Sequence, residues 1–330
     1  MNKVHIIAEV ATNYFDSVYL AEQSIIKAKE AGADSIKIQI IHSPETYLEG
    51  TYKYGKYKVE DVRNLRKISF LSDEKLKHLK RFAKKNKIFL TATIYGKESL
   101  RKSILIDPIY LKIASGDVNN KELINLAIEK KKKIIISTGM ANESEIKRVI
   151  SHFNKKNFKN YVLMHCVADY PHETQNSQLG YLNKLRELNI NLGFSDHTLG
   201  TSSAAVAVAF GVKWIEKHFT LSSDLGGLDA KHSLNTDQLK NYIKEIRGIE
   251  KSLLLQKRIV TKNEIYTSKR ARRGLYLSKD IKKNQIIKRS DLLLVRPENQ
   301  FDIWNFDKII KKKLKKNLKK NKIITFKDIK

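Results

Sequence analysis

A (β/α)8 barrel followed by a small β domain is the fold class that this sequence predicts, and three observations predict it. Runs rich in Ile, Val and Phe alternate with amphipathic helical stretches, and eight such pairs fit within about 255 residues. The run after the first strand, "AEVATNYFD", holds no glycine-rich phosphate loop, which disfavours the alternative of a doubly wound open sheet. Beyond residue 255 the texture changes to short apolar runs separated by Lys-Lys-Asn turns.

The strand candidates, in order, are "HIIAEVA" (5–11), "DSIKIQII" (34–41), "IFLTATI" (88–94), "IYLKIAS" (109–115), "KIIISTG" (133–139), "YVLMHCV" (161–167), "NLGFSD" (191–196) and "KWIEKHF" (213–219). Each is a short apolar run, as a strand covered on both faces requires. The helical pattern "SVYLAEQSIIKAKEAG" follows the first strand and closes on Gly32, a residue suited to a C-cap. "ANESEIKRVISHF" offers Asn142 or Ser144 as N-cap with acids in its first turn, and "NTDQLKNYIKEIRGIEKSL" follows the last strand. Residues 1–255 are therefore expected to form the barrel, 256–271 a polar and basic linker, and 272–330 a second domain. In that domain "KDIKKNQII" and "KNLKKNKIITF" resemble each other and point to a pseudo-repeated β module.

Composition excludes several classes. The single cysteine, Cys166, rules out a disulfide within the chain. "MNKVHIIAEVATNYF" enters a strand without the apolar core of a signal peptide, and no apolar run approaches the ~20 residues that span a bilayer. A soluble cytoplasmic protein that contacts no membrane is the expectation. The net charge of +29 suggests a polyanion binder, yet 51 of the 64 basic residues are lysines dispersed over the chain. Nucleic-acid readers favour arginine interleaved with aromatic rings, so no nucleic-acid partner is expected. A non-catalytic polyanion-binding protein is the reading this disfavours, and the positive field would still attract anionic substrates.

Chemistry gathers where polar residues interrupt the strands, because a (β/α)8 barrel carries its active site at the C-terminal strand ends. Strand by strand these residues are Glu9 and Asn13; Lys37 and Gln39; Thr91 and Thr93; Lys112, Ser115 and Asp117; Ser137 and Thr138; His165, Asp169 and Tyr170; Ser195 and His197; and Glu216 and His218. A buried ammonium without a counter-charge costs several kcal/mol, so Lys37 and Lys112 need anionic company, either a substrate or a structural ion pair. Lysines with serine and threonine hydroxyls make a cradle for a small phosphorylated or carboxylated molecule. His197 and His218 end neighbouring strands, a placement that lets two imidazoles share a divalent metal with coordination positions left open. Packed or hydrogen-bonded histidines remain the alternative from spacing alone.

The segments "YLKIASGDVNN", "IIISTGMAN", "HCVADYP", "GFSDHTLG", "IEKHFTL" and "LGGLDAKHSL" follow one another in the order found in the sialic acid synthase family, which the chain resembles over nearly its whole length. "RRGLYLSKDIKKNQIIKRSDLLLVRP" resembles that family's antifreeze-like (SAF, β-clip) domain. The resemblance implies condensation of phosphoenolpyruvate with an N-acetylated amino-sugar aldose, N-acetylmannosamine or a 2,4-diacetamido-trideoxyhexose, to a nine-carbon 3-deoxy-ulosonate. It implies a domain-swapped homodimer and a divalent ion, manganese or magnesium, on His197 and His218. Lys37, Thr93, Lys112, Ser115, Ser137 and Ser195 would cradle phosphoenolpyruvate. Gln39, Tyr170 and Asp229 would face the sugar, and Arg296 would reach it from the partner chain. Glu9 would position or deprotonate water, and Asp117 would act beside it.

Two departures bear on the substrate. Asp117 stands where the family commonly has Glu, and Ala168 where an Asn or Ser that contacts ligand is usual. Another acceptor, such as a pentose phosphate, would need a second cationic cluster near Asp229, where only Lys231 is found. For Asp196 two readings stand, an anchor for the loop after the seventh strand or a catalytic role.

Overall fold

The computed structural model describes residues 3–54, 57–67, 70–227, 229–254, 257–299 and 301–330. Two compact units make up the chain, Met1–Leu255 and Gln256–Lys330. The domain edge expected at 255 and 256 lies outside the described residues.

The first unit is a closed, all-parallel barrel of β1 (His5–Ala11), β2 (Ser35–Gln39), β3 (Phe89–Ile94), β4 (Tyr110–Ile113), β5 (Lys133–Ser137), β6 (Tyr161–His165), β7 (Leu192–Asp196) and β8 (Trp214–His218). The ring closes where Glu9 of β1 stands beside His218 of β8 and beside Lys37 of β2. All eight strand candidates of the sequence are strands of this barrel. The sequence reading ran several of them one or two residues too far, because the last apolar residues of "DSIKIQII" pack as core after the ladder has ended.

Helices pack around the barrel. The first, α1 (Val18–Ala31), is capped by the Ser17 side chain and ends at Gly32. Gly32 has φ +96°, the left-handed region open to glycine, and its N–H reaches the carbonyls of Ala28 and Lys29. The β2–β3 crossover is the longest and contains α2 (Val59–Lys67) and α3 (Asp73–Lys85). Next come α4 (Lys97–Leu105), α5 (Lys121–Glu129), α6 (Glu143–Lys155), α7 (Gly180–Arg186), α8 (Ser202–Ala209) and α9 (Thr236–Leu253). Of the two cap candidates for α6 it is Asn142 that caps, in a reciprocal box with Glu145.

Alternation along the strands sorts side chains into the shell between barrel and helices and the barrel interior. The floor of the interior is apolar, built by Ile7, Tyr110, Ile135, Val162 and Met164. Gly193 belongs to this layer, since a Cβ there would lie 2.9 Å from the Met164 side chain and 3.1 Å from Trp214. Above the floor, toward the C-terminal strand ends, the interior turns polar.

The second unit begins with α10 (Lys262–Ala271), a helix capped by Thr261 and Glu264 in the stretch that the sequence reading treats as linker. Its polar, basic surface hides the period, and no residue of α10 is buried. Then β9 (Gly274–Leu277) pairs antiparallel with β10 (Leu292–Val295) over a core that includes Leu275, Leu277, Ile287, Leu314 and Ile324. The two similar phrases are equivalent in three dimensions. Ile281 and Leu318 bridge each other, Asn284 and Asn321 both take φ +64° in their Lys-Lys-Asn turns, and Lys279–Asp291 matches Lys316–Asp328, each 2.8 Å.

Candidate active site at the barrel mouth

Four buried charges form the centre. Lys37 Nζ lies 2.7 Å from Glu9 Oε2, 3.6 Å from Glu216 Oε2 and donates to Thr93 Oγ1 at 2.7 Å. Lys112 Nζ stands 3.4 Å from Glu216 Oε1, which also accepts from Ser195 Oγ at 3.1 Å. The anionic company that the lysines require is thus supplied by Glu9 and Glu216. All four side chains are at most 5% exposed. Burial, reinforced by the neighbouring Glu216, raises the Glu9 carboxyl above the ordinary range although Lys37 opposes the shift. Burial would raise Glu216 as well, but Lys112 and Lys37 outweigh it and hold it low. Burial lowers Lys112. One carboxyl is therefore poised to take a proton while the other stays ionised, which is the pattern of an acid–base pair.

Around this quartet lie hydroxyls and amides. Gln39 donates to Glu9 Oε1 at 2.8 Å and accepts from Arg66 at 3.2 Å, while Arg66 also donates to Thr12 Oγ1 at 2.8 Å. Ser137 is buried and its hydroxyl has no hydrogen-bond partner among the described residues. Ser115 Oγ sits 3.2 Å from Cys166 Sγ and accepts from the Gly139 N–H at 3.1 Å. A Cβ at Gly139 would lie 2.8 Å from that hydroxyl, so only glycine admits the approach. An unpartnered buried hydroxyl at a strand end of this mouth is suited to an incoming anion.

Imidazoles occupy the other side. His197 and His218 have ring centroids 5.6 Å apart, so the two histidines do meet. The Val167 carbonyl can only accept, so His197 Nδ1 carries the proton that bonds to it at 2.6 Å, and the unprotonated Nε2 lies 3.2 Å from Ser195 Oγ. Burial, with His218 adding to it, lowers His197 to about 3. His218 falls to about 4, also chiefly by burial. Both rings are neutral near pH 7, the state that binds metal. Beyond His218, a turn through Gly226 (φ +75°) and Gly227 (φ +101°) brings Asp229 and His232 back over β8. Ligand atoms of His218, Asp229 and His232 all lie within 4.8 Å of one another. Among the described residues, His218 Nδ1, Asp229 Oδ2 and His232 Nε2 are buried without hydrogen-bond partners. Three orphaned donor atoms of metal-ligand type fit a divalent ion. Tyr170 covers the group, its ring 4.1 Å from His197, 5.8 Å from His218 and 5.3 Å from His232 between centroids.

Most sequence-chosen residues therefore converge: Glu9, Lys37, Gln39, Thr93, Lys112 and Ser195 in one hydrogen-bonded cluster, and Tyr170, His197, His218 and Asp229 in the adjoining one. Four do not join them. Ser115 sits against Cys166 and accepts from the Gly139 N–H, and Ser137 finds no hydrogen-bond partner among the described residues. Asp117 lies on the 3-10 turn after β4, bonded to Asn120 at 3.0 Å, and among the described residues no hydrogen bond or ion pair ties it to the charge cluster. Arg296 is exposed after β10 in the second unit. Sequence reasoning left Glu216 without a role and did not name Arg66 or His232. Glu216 carries a signal, since it stands two residues before His218 on the same strand face. His232 is marked by the Asp229/His232 spacing, whereas Arg66 has none, being placed by α2 alone.

Residues 24–257 match the NeuB family and residues 272–330 the SAF domain. The chain belongs to the NeuB family. Members are nonulosonic acid synthases that use phosphoenolpyruvate, and this NeuB-family chain is an enzyme of that kind. It is 31% identical over 331 residues to pseudaminic acid synthase of Campylobacter jejuni, covering 96% of this chain and 94% of the relative. It is also 31% identical over 333 residues to N,N'-diacetyllegionaminic acid synthase of the same organism, covering 98% and 99%. The solved N-acetylneuraminic acid synthetase of Leptospira borgpetersenii, in complex with citrate, superposes with a TM-score of 0.71 at 31% identity, over 81% of this chain and 90% of that one. These relatives differ in the sugar they are named for. Among the described residues no helix is long and apolar enough to cross a membrane.

Proposed function

We propose that the chain condenses phosphoenolpyruvate with an N-acetylated hexose, N-acetylmannosamine or a 2,4-diacetamido-trideoxyhexose, giving a nine-carbon 3-deoxy-ulosonate and phosphate. The observation that carries this reading is the juxtaposition of the Lys37–Glu9–Glu216–Lys112 quartet with the His197/His218 imidazoles at one barrel mouth.

Lys37 and Lys112 hold the phosphate and carboxylate of phosphoenolpyruvate, with the hydroxyls of Thr93, Ser115, Ser137 and Ser195 as donors. Fixing both ends of the enol aims its C3 at the sugar carbonyl and removes part of the entropic barrier. Gln39, Tyr170 and Asp229 orient the open-chain aldose. As the C3–C1 bond forms, C2 becomes electron-poor and is captured by water. Glu9, raised by burial, takes the proton from that water. The bond between C2 and the phosphate oxygen then breaks as the new C2 hydroxyl gives up its proton and the former aldehyde oxygen gains one, leaving a ketone, a hydroxyl and inorganic phosphate. His197 and His218 are the residues that would hold a manganese or magnesium ion. Bound there, the ion supplies Lewis-acid polarisation of the aldehyde oxygen. In a domain-swapped homodimer, Arg296 of a second copy would reach the sugar. Asp117 acts, on this reading, through the loop after β4 and not by contact with the quartet. The cytoplasm, where phosphoenolpyruvate is available, is the proposed setting.

Phosphate release should require phosphoenolpyruvate, an acetamido sugar and a divalent ion together. A panel of 2-acetamido and 2,4-diacetamido hexoses, with product mass as readout, identifies the acceptor. Absence of metal-dependent release from every sugar overturns the proposal.

A further inference from the structure

We infer that His232 is a third imidazole ligand of the divalent ion, joined by the Asp229 carboxylate, so that the centre is built for a first-row transition ion and against magnesium. The inference rests on the metal reading above and extends it to residues on a different segment.

The local fold makes the placement. Asp229 stands at the N-cap position of the 3-10 turn Ala230–His232 without a side-chain capping bond, and in a 3-10 turn residues i and i+3 eclipse, so the carboxylate and the imidazole share one face. The Ser233 hydroxyl ties the turn by donating to the Asp229 carbonyl at 2.6 Å. The segment after the turn is stitched to the barrel, with Leu234 N–H bonded to the His218 carbonyl at 2.9 Å and Thr220 N–H to the Leu234 carbonyl at 2.9 Å. That pairing sets the His232 ring 5.5 Å from the His218 ring between centroids, close to the 5.6 Å that separates His218 from His197. His218 thus has two imidazole neighbours at nearly equal distance.

The chemistry of the atoms agrees. His218 is only 7% exposed and its Nδ1 has no hydrogen-bond partner among the described residues. Asp229 Oδ2 and His232 Nε2 are buried in the same condition, although His232 Nε2 lies 3.5 Å from Asp229 Oδ1. A carboxylate and a histidine kept merely as a salt bridge would not leave a second imidazole orphaned beside them. Imidazole-rich sets favour the later first-row divalent ions, whereas magnesium takes oxygen ligands and keeps its waters. The ligand atoms of His218, Asp229 and His232 lie together, and His197, 5.6 Å from His218 between ring centroids, would complete a three-imidazole set that closes the choice.

Titration of the full-length metal-free protein with cobalt chloride, followed by calorimetry and by visible absorption, tests this. The wild type is expected to bind one Co2+ at this centre, and a hundredfold excess of magnesium chloride should fail to displace it. His232→Asn keeps a polar side chain beside Asp229 but removes the imidazole. Its Co2+ affinity should fall by about tenfold or more, a loss that outer-shell substitutions alone reach at such sites. Its metal-free melting temperature should stay close to the wild-type value, and His232→Phe should show the same loss of affinity. Equal Co2+ affinity in wild type and both variants overturns the inference while leaving the His197/His218 reading intact. Ready displacement by magnesium in the wild type overturns it as well, without recourse to any variant. If the wild type binds neither ion, the metal reading of the proposed function falls with it.

Discussion

Lys112 has one carboxylate within ion-pair distance among the described residues, Glu216, and Glu216 in turn spans Lys112 and Lys37. Removing one member of a buried pair leaves an uncompensated charge, which costs about 3–5 kcal/mol. Glu216→Gln is expected to lose stability on that scale in urea unfolding and to lose phosphate release. The double variant Lys112→Met/Glu216→Leu replaces the pair by apolar groups and should recover most of the stability, since such replacement is often close to neutral. It should not recover phosphate release. Recovery of both would make the pair purely structural. The lysines were legible because an ammonium inside an apolar strand has few explanations. Their partner was less so, because closure of the ring decides that β8 stands next to β1 and brings Glu216 to Lys37.

At the scale of elements, Asp196 explains how β7 and β8 hold their histidines in place. Its Oδ1 accepts from the Thr198 N–H at 3.0 Å and the Thr198 hydroxyl at 2.7 Å. Its Oδ2 accepts from the Tyr242 hydroxyl of α9 at 2.8 Å and pairs with Lys217 at 3.1 Å. Lys217 also donates to the Thr198 carbonyl. The expected role as a loop anchor is the one the geometry supports, with α9 clamped into the same network. Asp196→Asn should lower stability by roughly 3 kcal/mol or more, because Lys217 is left buried without its counter-charge. Tyr242→Phe, which removes one hydrogen bond, should cost about 1 kcal/mol. Thermal melts of the two variants check the order, and a reversed order would show that the ion pair is not what clamps the strand ends. Caps such as Gly32 and Asn142 were readable because cap chemistry is local. The helix α10 was not, since it buries no residue and so has no apolar face to betray it.

Over the whole molecule, acid sensitivity follows from histidines held neutral. His5 lies below the ordinary value of 6.5, at about 4, chiefly through burial; Lys3, Lys133 and Arg247 push the same way and Asp34 opposes them. A depressed folded value means that the unfolded chain binds the proton first as pH falls. Stability from this group is complete above 6.5 and is lost as pH drops toward 4, by roughly 3 kcal/mol at about 1.4 kcal/mol per unit. Unfolding in urea at pH 7 and pH 4.5 should show the loss in the metal-free protein, and His5→Gln should flatten the profile across that window. An unchanged slope would contradict the assignment. The net charge of +29 adds self-repulsion that grows as acids protonate.

By itself the sequence determined the eight βα units, the end of the barrel at which chemistry collects, and the identity of most of its polar side chains. Those features follow from period and from the energetic cost of burying charge, which act along short stretches of chain. Only tertiary structure decided which of those side chains touch. Barrel closure pairs Glu9 with Lys37 and Glu216 with both lysines, and the return of the Asp229–His232 turn over β8 sets a further imidazole beside His218. Such meetings depend on ring order and loop return, which are properties of the assembled barrel and leave no period in the chain.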